Sequence, residues 1–221
     1  MGEGKHMHRR LLTLLVVLGS ALLASAPPAA AGPVMPYNSR PMGQSYTSWF
    51  RDLGQFYLGD SSNPLIAGLG GDCGQLIDGV FFMAAPIDLN LEFECHVPKG
   101  TAIVFSHAGW FVIEGVDGDT REELQAALEA GFRTSVNELS LDGRDLPLKV
   151  IDTGFFDVIS ESGGFYDSIL EIGTGPILTA VRGNIVFLHP LRPGHHVIEA
   201  HVAFIGDGEF SATYYIQVGP R

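Results

Sequence analysis

Beyond Asn63-Pro64 the chain is cut into short apolar runs, each closed off by glycine, proline or aspartate, and this punctuation favours strands over helices. The runs Gly79 to Ala84, Leu89 to Cys95, Ala102 to Phe105, Trp110 to Ile113, Glu138 to Leu141 and Leu146 to Val150 are predicted strands. So are Phe155 to Val158, Ile177 to Val181, Asn184 to Phe187, His195 to Phe204 and Glu209 to Val218. Strands this short and this closely spaced predict a mainly β fold, an antiparallel β-sandwich of jelly-roll or immunoglobulin-like kind with one or two short helices.

Two segments read differently. Trp49, Leu53, Phe56 and Tyr57 recur at helical spacing, which predicts an amphipathic helix from Ser45 to Leu58 with Trp49 as its anchor in the core. Thr120 and Glu123 form a capping box ahead of Leu124, Ala127 and Leu128, and Gly131 is placed to stop that second helix.

The last two strands can be read to their register. His196, Ile198, Ala200, Val202 and Phe204 share one face of the first, and Phe210, Ala212, Tyr214, Ile216 and Val218 one face of the second. A three-residue loop of Gly206, Asp207 and Gly208 turns both sets to the core, pairing Phe204 with Phe210 and Ile198 with Ile216 and leaving Gly208 in the left-handed position.

The N-terminus sets the compartment. Lys5, Arg9 and Arg10 precede an apolar run from Leu11 to Leu23, and Ala29-Ala30-Ala31 supplies a cleavage site, so residues 1–31 read as a secretory signal peptide. About 16 residues lie between Arg10 and Pro27, short of the roughly 20 that span a bilayer. Residues 32–44, rich in proline, then form an extended mature N-terminus, and 45–221 a single β-rich domain. Removing the leader leaves ten basic against twenty-four acidic residues, a formal charge of −14. This acidic field disfavours nucleic acid as a partner, and no membrane span is expected once the leader is cleaved. A secreted, extracellular protein that engages an unknown extracellular ligand or envelope component fits this balance. In that oxidising compartment Cys73 and Cys95, the chain's two cysteines, are expected to pair.

Several motifs occur in a telling order. Asn63-Pro64 and Cys73-Gly74-Gln75 precede Val80-Phe81-Phe82; Cys95-x-Val97-Pro98-x-Gly100 leads into Thr101 to Phe105; Leu191-x-Pro193-Gly194-x-His196-x-Ile198 is followed by Tyr215-x-Gln217-Val218. From Trp49 onward the chain resembles a family of uncharacterised secreted bacterial proteins with a tryptophan-bearing N-terminal helix, two cysteines and a closing Pro-Gly-x-His β-strand. The resemblance implies the disulfide and the β-rich fold, and no catalytic residues. The chain departs from the family after Phe105, where Ser106-His107-Ala108-Gly109-Trp110 replaces the expected proline and asparagine.

Motifs for established chemistries are missing. There is no G-x-S-x-G elbow, H-E-x-x-H helix, dinucleotide fingerprint or phosphate loop. One constellation remains: His195, Glu199 and His201 project from one face of a strand, with Glu199 and His201 at a spacing of about 7 Å that suits two ligands of one metal. Asp117, Asp119, Asp207 and Glu209 lie in acidic turns, whose ordinary role is turn formation. No cofactor is expected; zinc at the histidine face and calcium at the acidic turns are the ions these residue types would suit. The favoured function is a non-enzymatic binding protein, and the alternative is an extracellular hydrolase, possibly metal-assisted, built on His195, Glu199 and His201.

Overall fold

In this computed structural model residues 32–62, 73–85 and 90–219 are described; the expected signal peptide (1–31), the Asn63-Pro64 step and Leu89 lie outside the described residues. In chain order the described strands are β1 (Gly74–Ile77), β2 (Val80–Met83), β3 (Leu91–Val97), β4 (Ala102–Ile113), β5 (Thr134–Leu141), β6 (Arg144–Asp145), β7 (Val150–Ser160), β8 (Gly175–Leu188), β9 (Gly194–Phe204) and β10 (Glu209–Val218). Three short helices accompany them: α1 (Tyr46–Gly54), α2 (Arg121–Gly131) and α3 (Phe165–Ser168).

The strands form two packed sheets, ordered β1-β2-β4-β8-β7 and β3-β10-β9-β5-β6. The fold is thus mainly β and sandwich-like, as the punctuation predicts. Each sheet is mixed, because β2 runs parallel to β4 and β3 runs parallel to β10. Both parallel partners are reached by connections that leave one sheet and return to it, so a chain of consecutive hairpins does not describe the topology.

Strand β4 is apolar on both faces because both are covered. Ile103 and Phe105 point between the sheets, where they meet Val186, Ile198, Tyr214 and Ile216. Ala102 and Val104 point the other way, onto Trp49, Phe50, Leu53 and Phe56 of the helical layer. Ser45 caps α1 by accepting from the Ser48 amide, and the helix runs on through one π turn, Gln55–Gly59, so the expected helix forms from Tyr46 with Ser45 as its extended cap. The Trp49 indole donates to the Pro41 carbonyl at 2.9 Å and packs on Phe82 and Phe187. The capping box of α2 forms, and Leu124 and Leu128 cover the far end of β4 at Val112. Gly131 belongs to the helix rather than stopping it. Its bare Cα lies against the Trp110 indole, which a Cβ would overlap.

Several boundaries differ from the sequence reading, each for a physical reason. The glycines at 109 and 183 suggest strand ends, yet β4 and β8 are each one continuous strand with the two glycines paired face to face. A Cβ on Gly183 would strike the Ala108 carbonyl and the Gly109 Cα. Gly183→Ala is therefore expected to cost about 1–3 kcal/mol, checked by chemical denaturation. Leu146 to Lys149 form no strand; Leu146 and Leu148 serve as side-chain plugs of the core. β1 pairs with β2 across Asp78-Gly79, both at positive φ, a hairpin turn whose Asp-Gly signal the sequence reading passes over. α3 is likewise additional.

The β9–β10 hairpin has the expected faces in a different register. Phe210 lies opposite Val202 and Ile198 opposite Tyr214, in place of Phe204 with Phe210 and Ile198 with Ile216. The loop is Ile205 to Asp207, closed by the Phe204 amide donating to the Gly208 carbonyl, and Gly206 rather than Gly208 takes the left-handed conformation. The slip amounts to two residues, so Ile198, Val202, Tyr214 and Ile216 remain buried and Glu199 remains outside. Gly208 instead leaves room for the Phe210 ring, which packs edge-on against Phe204.

Cys73 and Cys95 are bonded, with Cα atoms 5.1 Å apart. The bridge joins the residue before β1, in one sheet, to β3 in the other, at the edge of the inter-sheet core. Among the described residues no helix is long and apolar enough to cross a membrane.

Candidate functional site

The strand ladder places the outward side chains of the second sheet in rows. Glu92, Thr213, Glu199 and Ser140 form one row; Ser211, His201 and Glu138 form the next; His96, Gln217 and His195 lie at the far end. A shallow groove of about 800 Å³ follows the first two rows. The three expected ligands separate along these rows. Glu199 accepts from the Ser140 hydroxyl at 3.2 Å. His201 meets Glu209 at 2.6 Å and comes within 3.9 Å of Glu138. His195 stands two rows away from Glu199, exposed and opposite Gln217. Among the described residues no group of three or more His, Cys, Asp and Glu side chains is arranged to hold a metal ion.

His196 is half-buried and partnered on both nitrogens, with Asp142 at 2.8 Å and the Arg192 carbonyl at 2.9 Å. Burial pulls its imidazole down, but the Asp142 carboxylate and the Arg192 carbonyl together push it above its ordinary value. It is a strand-end clamp on the Asp142 turn, which also accepts from the Val197 amide. Of the acidic turns, Asp117 accepts from the Ile113 amide, and the Asp119 amide donates to Glu123 at the entry of α2. Asp207 is exposed in the hairpin loop and Glu209 is the partner of His201.

The second concavity lies along β4. β2 pairs with β4 only as far as Val104, and among the described residues no strand continues along that edge from Ser106 to Ile113. A cleft of about 540 Å³ opens there, between the helical layer and the tip of the β9–β10 hairpin. Its walls are aromatic: Phe50, Tyr57, Phe111 and Phe165 on one side, Trp110, Phe204 and Phe210 on the other. Trp110 and Phe204 are 5.7 Å apart, and Phe111 and Phe165 6.3 Å. Val116 and Leu170 stand at its mouth, 62% and 40% exposed.

A bulge supplies the polar part of this cleft. The β4–β8 register shifts between Ser106 and Ala108, which leaves His107 without a pairing residue on β8. His107 lines the cleft yet is only 1% exposed, and among the described residues neither ring nitrogen makes a well-formed hydrogen bond, with Asn137 as a weak hydrogen-bonding neighbour. Burial holds its imidazole down at about 4, with nearby Asn137 raising it and His201 lowering it, so it is neutral near pH 7. Tyr57 is neutral too, because burial pushes its phenol up; its hydroxyl donates to the Met83 carbonyl. The described lining residues include no lysine or arginine, and their carboxylates are Asp117 and Asp207.

Both of those aspartates stand out in the sequence as turn residues, whereas the aromatic walls and His107 do not stand out there as a site. The available signal was the Ser106-His107 pair beside Gly109 inside an apolar run, the mark of a bulge. No family model, no curated protein and no solved structure matches this chain.

Proposed function

We propose that this chain is an exported, non-enzymatic β-sandwich protein that binds an apolar small molecule in the cleft along β4. The observation that carries the reading is the cleft itself: about 540 Å³, walled by aromatic rings, with Ser106, His107 and Tyr57 as neutral polar groups and Asp117 and Asp207 as its carboxylates. That volume and that lining are those of small-molecule sites. A leader at 1–31 and the Cys73–Cys95 bond support export. An extracellular hydrolase, metal-assisted through His195, Glu199 and His201, has less support, because these side chains engage different partners rather than one centre.

A neutral fluorescent probe, N-phenyl-1-naphthylamine, tests the reading. Its emission should rise saturably on adding the protein. Charging the mouth with Val116→Arg and Leu170→Arg should weaken the probe by about tenfold or more, since the ligand would then desolvate a charge. Both positions are exposed, so Tm should not move. A wild-type protein that leaves the probe dark, or a double variant that binds it as well as wild type, would overturn the assignment.

A further inference from the structure

The charge pattern of the cleft names its ligand class more closely, on the footing that the cleft is the binding site. The histidine and tyrosine in its wall are neutral, and no basic side chain is among the described lining residues. Asp117 and Asp207 are both exposed, one on the turn after β4 and one at the tip of the β9–β10 hairpin, and both line the cleft. They come from chain segments some ninety residues apart and meet an apolar interior between them. An anionic head group in this position would face two carboxylates with no basic side chain among the described lining residues, whereas a positive one is attracted by both.

We infer that the cleft accepts a cationic amphiphile, its apolar body against Trp110, Phe111 and Phe204 and its ammonium or amidinium group at Asp117 and Asp207. The aromatic walls add to the selection, because ring faces attract a cation that passes over them. The chain's overall acidity draws cations to its surface generally. Two carboxylates on the wall of one apolar cleft are what distinguish a site from that diffuse attraction.

Displacement of N-phenyl-1-naphthylamine by decyltrimethylammonium and by decanoate separates the cases. These ligands carry alkyl tails of similar length and opposite charge. Wild type should favour the cation by about tenfold or more at low ionic strength, and about 0.5 M salt should erase most of that preference. Asp117→Asn with Asp207→Asn should reduce it to about threefold or less, each preference being measured against that protein's own affinity for the neutral probe. The asparagine at 117 keeps an acceptor for the Ile113 amide, so the turn survives; an unchanged Tm checks this. Equal affinity for cation and anion in wild type, or a preference that persists in the double variant, overturns the inference and leaves the apolar binding site standing. A wild-type protein that never binds the neutral probe removes both.

Discussion

Replacing Cys73 and Cys95 together by alanine should lower the unfolding free energy by about 3 kcal/mol, the chain entropy released when a 22-residue loop is opened. The loss should be confined to stability. The bond ties the start of β1 to β3, the edge strand of the opposite sheet, and neither cysteine is among the described residues lining the cleft, so the folded variant should still bind the neutral probe. Denaturant titration of wild type with and without a reductant gives the same comparison without mutation. A change under 1 kcal/mol in both experiments would mean that the two sheets hold together without their covalent staple.

His107 should make the protein acid-sensitive. Its imidazole takes up a proton at about 4 in the folded chain and at its ordinary 6.5 in the unfolded chain, so between these values the unfolded state binds more protons. Stability from this group is full above pH 6.5 and falls as pH drops, by about 3 kcal/mol once both forms are protonated. His196 works in the opposite direction: its raised value means its contribution is present in acid and is lost as pH rises. Comparing wild type with His107→Leu isolates the first effect, because the His196 clamp is common to both. The leucine variant should be the more stable already at pH 7, since a buried polar ring without a well-formed hydrogen bond gives way to an apolar group of similar size. Its advantage should widen between pH 6.5 and 4. An advantage that stays constant across this range would show that the imidazole is not held neutral by burial.

The sandwich was legible because it rests on patterns internal to each strand. Alternation along β9 and β10 assigns their faces correctly, and this survives the two-residue slip, since a shift by an even number keeps every side chain on its face. The pairing itself was not legible, because it depends on where the Phe210 ring sits over Gly208. The helical layer was read well, as Trp49, Leu53, Phe56 and Tyr57 follow a single period. The parallel pairs β2–β4 and β3–β10 join segments distant in sequence, and no local signal announces them.

The candidate site was less legible for the same reason. Its walls come from α1, β4, α3 and the β9–β10 tip, each contributing residues that read as ordinary core when taken alone. Asp117 and Asp207 were visible as acidic turn residues, yet only the fold places both on one cleft. His201 and Glu209 were each singled out from sequence, one as a ligand and one as a turn residue, and the hairpin makes them partners.

The chain has two tryptophans, and they report on different layers. Trp49 is sealed beneath α1 against Phe82 and Phe187, whereas Trp110 is half-buried in the wall of the cleft. Titrating the protein with 1-bromodecane, whose bromine quenches indole on contact, therefore tests cleft occupancy directly. Saturable quenching of wild type that disappears in Trp110→Phe is the result expected of an apolar molecule bound along β4. No quenching, or quenching that persists undiminished in Trp110→Phe, would contradict it.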